Sequence, residues 1–97
     1  MIRHVVLLTF DEDTPPTEVE AIITALRGLP PVIPELRSYV VGTDAGLSDG
    51  TADVAVVADF DDVAGWEAYR DHPEHRRIIA EQILPRLADR VAVQHRL

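Results

Sequence analysis

The chain has 97 residues, enough for one domain, and its 46% hydrophobic content with only 5% aromatics calls for a core of Val, Ile, Leu and Ala. Seventeen Asp and Glu stand against nine basic residues, all arginine, and the net charge of -8 argues against a nucleic acid or an anionic membrane surface as partner. The lack of cysteine excludes a disulfide framework, a thiolate metal site and a thiol nucleophile; no apolar run approaches the roughly 20 residues of a membrane span and no basic-then-apolar signal segment opens the chain, so a soluble, cytoplasmic protein is expected.

The first predicted element is a strand over His4–Phe10, HVVLLTF, β-branched and apolar and followed by the polar run DEDTPP. Pro15 and Pro16 lead into a helix in which Val19, Ile22, Ile23, Leu26 and Leu29 recur at helical spacing, with Thr17 and Glu20 as a capping box and a stop near Gly28. Leu36–Gly42 reads as a short second strand, and GTDAGLSDGT as a loop of turn formers. A third strand over Ala52–Phe60 ends at Asp61 or Asp62, the cap of a helix carrying Val63, Trp66 and Tyr69 on one side. Pro73 should interrupt that helix and open the next, with Ile78, Ile79, Ile83 and Leu84 apolar and Pro85 ending it. The closing RVAVQHRL alternates as a fourth strand, with Val91, Val93, His95 and Leu97 on one side.

The order β-α-β-β-α-β is that of an α+β ferredoxin-like domain: a four-stranded antiparallel sheet with its helices on one face. In the first strand His4, Val6, Leu8 and Phe10 oppose Val5, Leu7 and Thr9; in the third Val54, Val56, Ala58 and Phe60 oppose Asp53, Ala55, Val57 and Asp59. Both faces are substantially apolar, yet the helices can cover only one. A homodimer joined sheet to sheet, closing a barrel-like core, is the expected solution.

The densest cluster of titratable groups is YRDHPEH, Tyr69 to His75. Together with HVVLLTF, GLSDG and ADVAVVADFDD, this Y-x-x-H-P-x-H run resembles the stress-responsive A/B barrel family, Dabb, over nearly the whole chain. The resemblance implies a small domain that pairs into a dimeric α+β barrel. Most of the family has no assigned activity, but a plant branch consists of polyketide cyclases that perform an intramolecular aldol condensation without a cofactor. By that resemblance Tyr69 and His75 are the acid/base pair, His72 a nearby pocket residue, and His4 a group pointing into the same cavity between sheet and helices. Val6, Leu8, Ile22, Ile23, Val54, Val56, Trp66 and Ile79 are the implied lining. The chain departs from the plant cyclases in having Val54 where they carry a further His, and Ile22 and Ile23 where they carry bulky aromatics.

Chemically, a neutral imidazole can take a proton from a carbon beside a carbonyl, and a phenol can donate to the enolate oxygen that forms. A small hydrophobic, carbonyl-bearing ligand is thus the expected partner for His75 and Tyr69. The plainer reading is a polar helix junction, with His72 capping the Pro73 helix, His75 solvated on its first turn and Tyr69 packed with its hydroxyl in water. His72 and His75 have a spacing that could suit a metal, but no third ligand is evident and no metal is assigned. No serine elbow, P-loop or dinucleotide fingerprint occurs. Two rivals to a cofactor-free cyclase or isomerase remain: a non-catalytic binding dimer of the same fold, and a barrel-type monooxygenase.

Overall fold

The computed structural model describes residues 1–97. Its elements are β1 (Ile2–Phe10), α1 (Pro16–Arg27), β2 (Ser38–Thr43), β3 (Val54–Phe60), α2 (Val63–Asp71), α3 (Pro73–Ile78) and β4 (Leu87–Arg96), with a π turn at Ile79–Ile83 and a 3-10 turn at Leu84–Arg86 prolonging α3. The strands form one antiparallel sheet in the order β2-β3-β1-β4. This is the ferredoxin-like α+β topology, its second helical arm broken at His72 by Pro73.

Strict alternation along β1 assigns its faces: Ile2, His4, Val6, Leu8 and Phe10 are buried, while Arg3, Val5, Leu7 and Thr9 are not. Ile22, Ile23 and Leu26 of α1, Ile78 of α3 and Tyr69 of α2 cover the buried side. Leu29 and Ile33, in the loop after α1, are as deeply buried as any helical residue. Arg27, in the last turn of α1, donates through Nε and Nη2 to the Val41 carbonyl, tying the helix to the edge strand β2.

The opposite face of the sheet is open. Register places Val40, Val57, Val5 and Val93 in one row across it, and Gly42, Ala55, Leu7 and Val91 in the next. Exposures of 61% at Val40, 57% at Val91, 54% at Val93 and 40% at Leu7 mark this as an apolar surface facing water in the single chain. Arg3 and Asp59 border it as a bidentate pair at 2.8 and 2.9 Å.

Several local expectations are corrected. No capping box forms at Thr17 and Glu20, because α1 starts one residue earlier: Pro16 lacks an N–H and has its φ preset, and the Pro15 carbonyl takes the N–H groups of Glu18 and Val19. Val63 is exposed and does not share the buried side of α2 with Tyr69. Strand β3 begins at Val54 because the chain before it serves the neighbouring strand: Asp53 N–H donates to the Leu8 carbonyl and its carboxylate accepts from Phe10 N–H. Strand β4 begins at Leu87, directly after the 3-10 turn containing Pro85. Of the two proposed caps before α2, Asp62 takes the role, accepting from Gly65 N–H at 2.9 Å.

Candidate functional site

Helix α2 and the short helix after it deliver the two ends of YRDHPEH to one place. The α2 periodicity buries Tyr69 against the sheet, where its ring meets Phe60 and His4. His72 then leaves helical geometry, and its Nδ1 accepts from Glu74 N–H at 3.1 Å, capping α3. One turn on, the His75 ring lies over that of Tyr69 at a centroid distance of 4.1 Å and an angle of 34°. The two side chains stack; they do not hydrogen-bond to one another.

His75 Nδ1 faces the Arg70 carbonyl oxygen at 3.2 Å. A carbonyl can only accept, so this nitrogen holds the proton and the lone pair of the neutral ring is on Nε2. His4 has the opposite arrangement, since its Nδ1 accepts from the Gln94 amide nitrogen at 2.8 Å, leaving the proton on Nε2. Burial, followed by the charges of Arg90 and His75, lowers the His4 pKa to about 4. Burial likewise lowers that of His75, against the opposing pull of the Arg70 carbonyl. Both imidazoles are therefore neutral at pH 7, one offering a base and the other a donor.

Tyr69 is only 2% exposed, and burial raises its pKa to about 12, so the phenol keeps its proton. Its hydroxyl lies 3.0 Å from that of Tyr39 on β2, whose own pKa burial pushes upward. With Tyr39 donating, the Tyr69 proton is free for a further acceptor.

Beside these groups lies a cavity of about 80 Å³ between sheet and helices. Val6, Leu8 and Val56 form its floor, and Leu26, Ile79 and Ile83 its walls. His4, Tyr69, His75 and Arg90 line both this cavity and a wider outer depression of about 500 Å³, and so form the neck between them. Ile79 and Leu84 line both spaces as well, and Trp66 flanks only the outer one, with Arg70 5.0 Å above its ring.

Of the residues expected here, Tyr69, His75, His4, Val6, Leu8, Val56 and Ile79 meet at the inner cavity and Trp66 at the outer depression. Ile22, Ile23 and Val54 do not line the cavity; they are buried members of the core cluster. His72 lies outside it too, its Nδ1 occupied by the cap. Arg90, Tyr39, Leu26, Ile83, Leu84 and Leu87 were not anticipated. For Arg90 the missing signal is register: its pairing with Leu8 puts it on the cavity side of β4, which the alternation of β4 alone does not reveal.

Fold and pocket together define the class: a ferredoxin-like α+β domain with an apolar cavity whose neck carries imidazole and phenol groups. The chain belongs to the Dabb family, the stress responsive A/B barrel domain, whose profile matches residues 2–95. Among solved structures it is similar to a dimeric ferredoxin-like protein of unknown function from Thermobifida fusca YX, at 52% identity, with 99% of this chain and 90% of that one covered and a TM-score of 0.91. A dimeric protein of unknown function and ferredoxin-like fold from Bacteroides fragilis shares 26% identity over 99% and 95% of the two chains, with a TM-score of 0.79. The hydroxynitrile lyase of Passiflora edulis shares 20% identity over 97% and 90%, with a TM-score of 0.82, a likeness of fold. No curated protein matches the chain significantly.

Proposed function

We propose that the protein is a homodimer, joined through its open sheet face, that binds a small apolar carbonyl compound at the neck of the cavity and enolises it without a cofactor. The tautomer lock on His75 carries this reading: Arg70 holds the proton on Nδ1, so Nε2 is a ready base beside an apolar cavity. His75 takes the proton from the carbon next to the carbonyl. Tyr69, backed by Tyr39, donates to the enolate oxygen, and the enolate is then free to attack a second carbonyl, as in an aldol cyclisation, or to be reprotonated. For the assembly, the support is the apolar rows of the open face and the dimeric description of the 52% identical relative.

The test is exchange of α-protons for deuterium in short ketones, followed by NMR in D2O. The protein should accelerate exchange above buffer, and His75→Ala should lower that acceleration by at least about 100-fold. Exchange at the buffer rate with the unaltered protein, or full exchange in His75→Ala, would sink the reading. A second reading, binding without turnover, draws on the size of the inner cavity, which at about 80 Å³ is well below the ~150 Å³ that holds benzene. It predicts ligand shifts at the neck without any exchange.

A further inference from the structure

Seven of the nine arginines have an ion-pair or carbonyl partner; Arg96, near the end of β4, and Arg90, at the neck, have none, and of these two only Arg90 lines the cavity. Arg3 pairs with Asp59, Arg37 with Asp61, Arg77 with Glu74 and Glu81, and Arg86 with Glu18. At the outer depression Arg70 and Arg76 both bind Asp71, at 2.8 and 2.9 Å, and Glu67 lies 3.9 Å from Arg70 as a second carboxylate. Arg90 has no carboxylate and no carbonyl partner, although the chain has 17 acidic residues to offer. It lines both the inner cavity and the depression, and its charge adds to the lowering of the His4 and His75 pKa values and works against the larger rise that burial imposes on Tyr69.

We propose that Arg90 receives the carboxylate of the ligand, so that the site selects apolar oxo acids over neutral ketones. This rests on the ligand-binding part of the function proposed above and names its substrate class. A guanidinium grips a carboxylate through two parallel hydrogen bonds, and beside low-dielectric walls this contact gains strength over its value in water. With the acid end on Arg90, the hydrocarbon end enters the cavity floored by Val6, Leu8 and Val56, and the carbon chain between them passes His75 and Tyr69. An oxo group on that middle stretch would present its α-protons to His75 Nε2. The small inner volume fits a short aliphatic tail, which restricts the class to short-chain acids.

The experiment titrates the protein with hexanoate and, separately, with hexanamide, following backbone amide and histidine resonances by NMR. Hexanoate should bind on the order of tenfold more tightly than hexanamide, with shifts centred on His4, Tyr69 and His75. Arg90→Gln should remove that preference by weakening hexanoate about tenfold more than hexanamide, and Arg90→Lys should restore part of it. Because Arg90 is exposed and unpaired, these variants should fold normally, which the unshifted remainder of the spectrum checks. Equal binding of acid and amide, or a preference that survives in Arg90→Gln, would overturn the role of Arg90 and leave the site itself standing. Binding of neither compound at the neck would overturn both.

Discussion

His4 illustrates how a single side chain can set the acid limit of a fold. Its folded pKa of about 4 lies below the ordinary value of 6.5, so above pH 6.5 it is neutral in both folded and unfolded chains. As pH falls from 6.5 toward 4, the unfolded chain takes up the proton first, and stability is lost across that window. At pH 4.5 the loss should be roughly 2–3 kcal/mol relative to pH 7, and His4→Leu should lose correspondingly less; urea titrations at both pH values make the comparison. A loss as large in His4→Leu would show that another group governs acid sensitivity. His75 is shifted in the same direction, so its base form persists below pH 6.5 and the acid limb of any exchange rate should fall below that value. The imidazoles and Tyr69 could be picked out in sequence because they sit in one short motif and on one alternating strand. Tyr39 and Arg90 could not, since what aims them at the site is their place in sheet register: Tyr39 opposite Ala58, which opposes His4, and Arg90 opposite Leu8.

Among the elements, the second helical arm does most to shape the pocket. Asp62 starts α2, His72 ends it and starts α3, and the π turn at Ile79–Ile83 then changes the pitch, Leu84 N–H donating to the Ile79 carbonyl five residues back. That turn supplies Ile79 and Ile83 to the cavity wall. Pro73 within this arm and Pro85 at its end were legible as boundaries, and the apolar spacing of Ile78, Ile79, Ile83 and Leu84 as a helix. The widened turn was not, because one residue's change of hydrogen-bond partner leaves no mark on hydrophobic periodicity. The Asp62 cap offers a direct check of the arm's independence. Asp62→Ala should cost about 1 kcal/mol of unfolding free energy in denaturant titration, by orphaning the Gly65 N–H. No measurable loss would mean that packing of Tyr69, and not the cap, fixes where α2 begins.

For the whole molecule the decisive quantity is the uncovered side of the sheet. Alternation in β1 and β3 announced two apolar faces from sequence, and the register aligns them into rows across all strands. Alternation put Asp59 on that side too; what it could not show was the grip of Arg3 on its carboxylate, which leaves Asp59 only 6% exposed. Val57 lies in the central row, between Val5 and Val40. Val57→Asp should give monomer or aggregate in sedimentation, because an interface would bury its carboxylate without a partner. A dimer of normal mass and stability in that variant would place the interface elsewhere.

Strand β4 presents Val91 and Val93 to the open face and Arg90 and Gln94 to the pocket side, on alternate residues of a single outer strand. In a dimer sealed by that face, any shift of β4 that admits a ligand also moves the contact between subunits. Occupancy and association then share a coupling free energy, and linkage makes it reciprocal: whatever factor the ligand contributes to association, association contributes to affinity. Dilution toward the monomer would then change ligand affinity by that same factor, and the two pockets, on opposite sides of the joined sheets, would communicate through the alternation of one strand.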